Sequence, residues 1–366
     1  MCVQIAYDFM TLSLLNTNFL DPKVPNMHAT ISAKRNTNKI LCGLAVSSLF
    51  GGAPARAQDA PPVVIGKNND WLFTPYEFAN PSDSADTQAT IQLLEKANKL
   101  FESKGIALAV VIVPSKVRIH SEQLPADKPL DSYTANKYDN IVKSLNAGGV
   151  TTVNLNSAFM ASPHRTSDTP LFLRLDTHWS HTGSLLAAET VKAAIEANPK
   201  LKAALAAIPE EKFALSWSKQ KSNQRARDLV RLLPANAQNY PPEQSMTFKV
   251  AREKESQAGL LAGGDKVGIT VIGSSFTNKN AGYPDGLRFT LQRELLDISI
   301  PVDQGPWVGM DAYLKDEAFK TSKPKLILWE IPEREFRSPP NYKFRDARYQ
   351  MDNNAWFERI ASSLKA

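Results

Sequence analysis

Cysteine is nearly absent from this sequence of 366 residues and occurs only at Cys2 and Cys42. Both positions fall within the first 57 residues, which we expect to be removed from the mature protein. A chain without cysteine has no structural disulfide, no thiolate metal site and no cysteine nucleophile. The hydrophobic content of 43% supplies a core large enough to do without disulfides.

The net charge is small, formally +6 at pH 7, and part of it lies near the N-terminus. Residues 1–57 hold five Lys and Arg against two Asp and Glu, which leaves +3 for the rest of the chain. So small an excess provides no electrostatic footprint for nucleic acid, and we predict no nucleic-acid partner. A weakly basic groove for an anionic polymer is compatible with it, because net charge does not set local charge.

Long hydrophobic runs are also missing, and the apolar run near the N-terminus has the pattern of an export signal. Met27 is a suitable start, and the basic residues Lys34, Arg35 and Lys39 follow it. Residues 40–50 are a mainly apolar run, and Ala-Arg-Ala ends at Ala57. The run is short for a membrane span. We therefore predict an upstream leader plus cleavable signal peptide over 1–57, cleavage near Ala57 and a periplasmic mature chain, 58–366. A retained signal anchor is the alternative.

Helical and strand patterns alternate along the mature chain. Amphipathic helices are predicted over 87–104, 133–145 and 183–197, and strands over 106–113, 150–155, 268–273 and 325–332. A hairpin-like element over 63–73 precedes them, 288–296 is a short helix or strand, and a helix over 356–364 ends the chain. The short connections indicate one α/β domain with a mainly parallel sheet. The polar segment 198–265 is predicted to be an insertion or cap.

Two stretches carry the side chains of a nucleophile system. Asp176 and His178 lie two residues apart, and Ser275 follows a buried strand at a Gly-Ser-Ser turn. A serine hydroxyl needs a base within hydrogen-bond reach and a third group that fixes the tautomer of that base. We predict that Ser275 is the nucleophile, His178 the base and Asp176 the orienting acid. The backbone N–H groups of Gly273 and Ser275 are the candidate oxyanion donors.

The same residues allow other interpretations. Ser274 competes with Ser275 for the role of nucleophile. Asp176, His178 and His181 also form a possible metal-ligand set, but no further His or Glu cluster lies nearby at ligand spacing. We therefore predict no metal and no other cofactor.

Five motifs together resemble the alginate O-acetyltransferase family that includes AlgX and AlgJ. They are Gly-Lys with Trp-Leu-Phe within 66–73, Val-Pro-Ser-Lys at 113–116, Asp-Thr-His-Trp at 176–179, Gly-Ser-Ser-Phe at 273–276 and Trp-Glu-Ile-Pro-Glu-Arg at 329–334. The resemblance implies an SGNH-hydrolase-like three-layer α/β/α sandwich with insertions, and the same roles for Ser275, His178 and Asp176. It further implies a periplasmic enzyme that acetylates an exopolysaccharide, with a membrane-bound O-acyltransferase as partner in a synthase complex.

Four further residues are candidate substrate contacts. Aromatic faces at Trp179 and Tyr313 suit sugar rings, and the guanidinium of Arg334 suits a uronate carboxylate. Lys116 follows the carboxyl end of a predicted strand, where sites form in open parallel sheets. The structural alternatives are core packing for Trp179, an ion pair with Glu330 or Glu333 for Arg334, and a solvated lysine at 116.

The leading hypothesis is an O-acetyltransferase with an acetyl-serine intermediate. A carbohydrate acetylesterase with the same triad is the first alternative, because the choice between water and a sugar hydroxyl depends on groove shape and water exclusion. A non-catalytic polysaccharide-binding subunit of a synthase complex is the second. The polymer is left open: alginate, acetylated cellulose and other exopolysaccharides all fit.

Overall fold

The computed structural model describes residues 63–253, 267–301 and 304–365. Its strands are β1 (Val64–Ile65), β2 (Leu72–Phe73), β3 (Ala107–Val113), β4 (Thr151–Asn154), β5 (Phe213–Trp217), β6 (Ser222–Asn223), β7 (Gln244–Ser245), β8 (Phe248–Arg252), β9 (Ile269–Gly273), β10 (Leu295–Ser299) and β11 (Leu326–Pro332). Its helices are α1 (Ser84–Ser103), α2 (Lys116–Ile119), α3 (Ser132–Ala147), α4 (Leu155–Ala161), α5 (His181–Ala197), α6 (Pro199–Ala206), α7 (Asp228–Arg231), α8 (Tyr283–Leu291), α9 (Pro306–Lys315), α10 (Glu317–Thr321) and α11 (Asn353–Ser363).

The central sheet is parallel and has the strand order β10-β9-β11-β3-β4. Its middle strands β3, β9 and β11 are buried along their whole length, as their unbroken apolar sequences predict. Strand β11 pairs with β3 on one side, Leu326 opposite Ala107, and with β9 on the other, Leu326 opposite Ile269. The last strand in the chain therefore lies in the middle of the sheet.

Helices cover both faces of this sheet. Alternate residues of β3 divide between two hydrophobic clusters, with Leu108, Val110 and Ile112 on one face and Ala109 and Val111 on the other, because successive strand side chains point to opposite faces. The first face packs against α1, α3, α9 and α11, and the second against α4, α5, α6 and α8. The predicted three-layer α/β/α sandwich with a parallel sheet is confirmed.

Most predicted elements are found within a few residues of their expected positions. The exception is 288–296, where the structure has a helix that begins earlier and a separate strand: α8 ends at Leu291 and β10 begins at Leu295. Gln292 adopts a left-handed backbone conformation with φ of 51°. This backbone conformation ends the helix. The apolar pattern did not indicate it, because a backbone conformation does not depend on which residues are apolar.

The segment after α5 forms small elements of its own. Strands β5 and β8 pair as one antiparallel ribbon and β6 and β7 as another, while α6 packs under the sheet through Leu201. The predicted insertion at 198–265 therefore has regular structure in the part that is described, up to residue 253.

The predicted leader and signal peptide at 1–57 lie outside the described residues. Across the described ranges, no helix combines the length and the apolar character that a membrane crossing requires.

Candidate active site

Ser275 stands at the carboxyl end of β9, on a short 3₁₀ helix from Ser275 to Thr277. The preceding Ser274 caps this helix: its Oγ accepts from the N–H of Phe276 at 3.2 Å and donates to Glu330 Oε2 at 2.9 Å. Ser274 is therefore engaged beneath the turn and only 6% exposed. Of the two competing serines, Ser275 is the one that faces the imidazole.

The three residues of the predicted nucleophile system lie in contact. Ser275 Oγ is 2.7 Å from His178 Nε2, and His178 Nδ1 is 2.6 Å from Asp176 Oδ1. With its proton on Nδ1, the ring donates to Asp176 and Nε2 accepts from the serine hydroxyl. The two stretches are 97 residues apart, and the fold brings them to the same edge of the sheet, where open parallel sheets place their sites.

Asp176 is held in its ionised form. Its Oδ1 also accepts from the backbone N–H of His178 at 3.0 Å, and its Oδ2 accepts from the N–H of Asp228 at 2.8 Å. Burial works to raise the pKa of Asp176, but the hydrogen bond and charge of His178, with the two backbone donors, hold that pKa well below its usual range. An ionised Asp176 stabilises the imidazolium that forms when the serine loses its proton.

Asp228 is a second carboxylate at the site, and the sequence analysis missed it. It accepts from the N–H of Thr177 at 2.8 Å and from the Thr177 hydroxyl, and its Oδ2 lies 4.0 Å from His178 Nδ1. Burial and the charge of Asp176 raise the pKa of Asp228. It lies in the predicted insertion, so that segment helps to build the site.

The structure changes which residues could form a metal-ligand set. The described residues that come together at possible ligand distances are Asp176, His178 and Asp228, whose ligand atoms lie within 4.8 Å of one another. His181 is not among them. Hydrogen bonds to Thr177, to Ser275 and between Asp176 and His178 already use these atoms, so the arrangement favours proton transfer over metal binding.

Glu330 forms the floor of the nucleophile turn. This wholly buried side chain on β11 accepts from Ser274 N–H at 2.7 Å and from Thr277 Oγ1 at 3.1 Å, in addition to the Ser274 hydroxyl. Gly273 makes room for it, since a Cβ there would lie 2.5 Å from Glu330 Oε2. A lone acid within an apolar strand was the sequence signal for this role.

The buried carboxyl of Glu330 predicts a pH-dependent stability. Burial raises the pKa of Glu330 to about 7, against an ordinary value of 4.5, although its donors oppose that shift. The folded state thus favours the protonated form, so this stabilisation is full below pH 4.5 and is lost as the pH rises through 7. We expect the free energy of unfolding to fall by up to about 3 kcal/mol over that range relative to Glu330→Gln. Urea denaturation at several pH values measures it, and parallel curves for the two proteins would contradict it.

Lys116 is a structural residue, which corrects both readings of its sequence position. It is 1% exposed, and its Nζ donates to the carbonyl oxygens of Leu72, Arg174 and Asp176 at 2.7, 2.9 and 3.0 Å. Burial lowers the pKa of Lys116 to about 8, while nearby carboxylates oppose the shift. The ammonium group ties the Asp176 loop to β2 and is neither solvated nor available to substrate.

Removing this ammonium group should loosen the site. Lys116→Met leaves three buried carbonyl oxygens without their donor, and we expect it to lower the free energy of unfolding by about 3 kcal/mol. Lys143→Met, at an exposed position on α3, is the matched control and should change it by less than about 0.5 kcal/mol. Chemical denaturation compares the two, and equal effects would remove the structural role.

The three other predicted substrate contacts are all largely buried. Trp179 is 1% exposed, with its ring centroid 5.1 Å from that of Phe276, and Tyr313 is 2% exposed, with its hydroxyl 2.7 Å from Thr270 Oγ1. Tyr313 is packed in the core and does not line the cavity beside Ser275, which contradicts its predicted stacking. Trp179 is buried but lines that cavity, so its contact with substrate stays a prediction. Arg334 pairs with Glu77 at 3.2 Å instead of with Glu330 or Glu333, and its role in substrate binding stays a prediction.

A cavity of about 210 Å³ opens beside Ser275. Its wall includes residues from the Asp-His loop, from the insertion and from the segment after the nucleophile: His178, His181, Gln224, Ser275, Asn278 and Asn280. Burial lowers the pKa of His181 to about 4, so its ring is neutral at pH 7. Ser275 lines the cavity and Gly273 does not. The oxyanion roles of their two N–H groups stay predictions.

Residues 63–333 match the family model ALGX, described as SGNH hydrolase-like domain, acetyltransferase AlgX. A probable alginate O-acetylase AlgJ of Pseudomonas syringae pv. tomato is 29% identical over 286 residues, covering 75% of this chain and 69% of the relative. The alginate biosynthesis protein AlgX of Azotobacter vinelandii is 24% identical, covering 74% of this chain and 54% of the relative.

Solved structures share the fold. The O-acetyltransferase domain of Pseudomonas putida AlgJ superposes with a TM-score of 0.67 at 22% identity, covering 83% of this chain and all of that one. Pseudomonas aeruginosa AlgX gives 0.61 at 16% identity, over 83% of this chain and 67% of that one.

Proposed function

Because the chain belongs to the SGNH hydrolase-like acetyltransferases of the AlgX family and is an O-acetyltransferase, we propose that it acts through an acetyl-serine intermediate on Ser275. The observation that carries this proposal is the 2.7 Å contact between Ser275 Oγ and His178 Nε2, with Asp176 behind the ring. These are the contacts that a serine nucleophile, its base and the orienting acid need.

In the first half-reaction, Ser275 Oγ attacks the carbonyl carbon of an acetyl donor while His178 Nε2 takes its proton. Asp176 stabilises the imidazolium, and the Ser275 N–H stabilises the developing oxyanion, since the first N–H groups of a helical turn lack intrahelical acceptors. The imidazolium then protonates the leaving oxygen of the donor. The products are acetyl-Ser275 and the deacetylated donor.

In the second half-reaction, a sugar hydroxyl enters the cavity and His178 Nε2 removes its proton as its oxygen attacks the acetyl carbon. The bond from Ser275 Oγ to that carbon breaks, and the proton returns to the serine. If water attacks instead, the products are acetate and free enzyme. Transfer therefore requires that the acceptor displace water from the cavity next to Ser275.

The acceptor is an exopolysaccharide, and alginate is the first candidate because the AlgJ relatives are named as probable alginate O-acetylases. A membrane-bound O-acyltransferase in the same synthase complex supplies the acetyl groups. The protein acts in the periplasm, where both the polymer and an exported chain with a signal at 1–57 would meet. No nucleic acid takes part.

Trapping the intermediate tests this function. Purified protein from about Gln58 onward is mixed with a chromogenic acetyl ester and quenched in acid, and its peptides are analysed by mass spectrometry. We expect one acetyl group on the peptide that contains Ser275, and its loss on adding an acceptor oligosaccharide. An acetyl group on another residue would disprove the assignment.

Three companion measurements separate the alternatives. Acetate release without acetylation of any oligosaccharide would favour the esterase. Loss of the ester reaction in a chelator, with recovery on added zinc, would favour the metal interpretation at Asp176, His178 and Asp228. A protein that binds polymer but never becomes acetylated would be a non-catalytic subunit.

A further inference from the structure

A row of three aromatic rings leads from the cavity to the surface. His181 lines the cavity, the ring of Phe248 packs edge-on against it at 5.1 Å between centroids, and Trp217 packs edge-on against Phe248 at 5.2 Å. Phe248 is 5% exposed, while Trp217 is 39% exposed. The row therefore ends in an indole that is open to solvent within about 10 Å of the cavity wall.

The backbone holds this row in place. Trp217 ends β5 directly opposite Phe248, the first residue of β8, in the antiparallel ribbon. Gly282 has a φ of 78°, and a Cβ there would lie 2.9 Å from the His181 ring and 3.1 Å from the Phe248 ring. The bare backbone at 282 is what allows the two rings to meet. Trp217 thus rests on a fixed support.

Exposed apolar side chains are common and need no explanation singly. The other large ones in the described residues are Ile65, Tyr76, Met160, Leu232 and Phe344. Of these exposed side chains in the described residues, Trp217 is the one that is connected through ring contacts to His181 in the wall of the catalytic cavity. Its position on the segment 198–253, which also supplies Gln224 and Asp228, connects it to the site.

We propose that Trp217 forms an outer sugar subsite, on which a second ring of the acceptor chain stacks while another ring presents its hydroxyl to Ser275. This inference rests on the proposed transfer to a polysaccharide. The C–H face of a pyranose is apolar with slight positive charge on its hydrogens, which matches the negative face of an indole. The amides of Gln224 and Asn280 in the cavity wall are suitable partners for sugar hydroxyls.

An outer subsite predicts a dependence on acceptor length. A short acceptor that reaches only the cavity gains nothing from Trp217, whereas a longer one occupies both places. The ratio of kcat/KM for long acceptors to kcat/KM for the shortest acceptor should therefore fall about 3- to 10-fold in Trp217→Ala. Trp217→Phe keeps an aromatic face and should retain most of the ratio.

The assay uses alginate oligosaccharides and cello-oligosaccharides of increasing length, with acetylated products counted by mass spectrometry. Trp217→Leu keeps an apolar side chain but has no π face. Its ratio of kcat/KM for long to short acceptors should fall as it does in the alanine variant. Phe344→Ala, an exposed aromatic on the C-terminal segment, is the control and should keep it. The proposed subsite would be wrong if the kcat/KM ratio were unchanged in Trp217→Ala, or if Trp217→Leu kept the ratio of the wild type.

Failure of the subsite is distinct from failure of the proposed function. If Ser275→Ala still cleaves the chromogenic ester as the wild type does, the catalytic assignment fails, whatever the behaviour of Trp217. If Ser275→Ala is inactive and the length dependence survives in Trp217→Ala, only the outer subsite fails.

Discussion

Ser275→Ala is expected to lower the rate of acetyl transfer by about 10⁴-fold or more, because it removes the oxygen that lies 2.7 Å from His178 Nε2. The variant should fold normally, since the side chain is partly exposed and its hydrogen bond is to His178. Turnover of the chromogenic ester and transfer to an oligosaccharide measure the loss, and the melting temperature verifies the fold.

Ser157→Ala is the matched control, because this serine is exposed on α4 and does not line the cavity beside Ser275. It should retain full activity. Ser274→Ala is the sharper comparison. Ser274 supports the turn through Glu330, so we expect this variant to lose stability as well as part of its activity. If Ser274→Ala were the variant without activity and Ser275→Ala remained active, the nucleophile would be the neighbouring serine.

Asp176→Asn is expected to lower kcat about 10⁴-fold at pH 7, with the fold preserved. An amide at this position can offer an N–H to His178 Nδ1, which favours the tautomer with the proton on Nε2, and that ring cannot accept from Ser275. Because the pKa of Asp176 lies well below its usual range, the wild type keeps an ionised acid throughout the neutral range, and the loss should persist from pH 5 to 8.

Asp228→Asn is the control for Asp176→Asn. Asp228 Oδ2 is 4.0 Å from His178 Nδ1 and serves mainly to hold Thr177, so we expect a loss of less than about 10-fold. Steady-state kinetics on the same ester compares the two. A loss in Asp228→Asn that equals the loss in Asp176→Asn would mean that the two carboxylates act as one unit.

The sequence predicted the sheet and the meeting of Asp176, His178 and Ser275 because each depends on a local pattern. Buried strands are continuous apolar runs, as in β3 and β11, and a turn follows each of them. The Asp-x-His spacing indicated a base with its orienting acid, and the Gly-Ser-Ser turn indicated a serine nucleophile.

Other contacts had no local signal. Asp228 reaches Thr177 across 51 residues from a polar segment without periodicity, and nothing near it in sequence marks it. Lys116 follows a strand as many solvated lysines do, and only the fold shows that three carbonyl oxygens surround its ammonium group. Trp179 and Tyr313 are aromatic in sequence, but burial decides whether an aromatic ring packs or binds, and burial is a property of the whole chain.

The position of β11 has a consequence for how the protein matures. In the strand order β10-β9-β11-β3-β4, the two earlier pairs are joined only through the strand that is synthesised last. A chain that stops before Leu326 has two separate half-sheets, and Ser274 has no Glu330 beneath it. Pairing over such long sequence separations is slow. An incomplete chain therefore lacks the carboxylate that supports the Ser274–Ser275 turn, and the turn gains this support only when β11 pairs between the two halves.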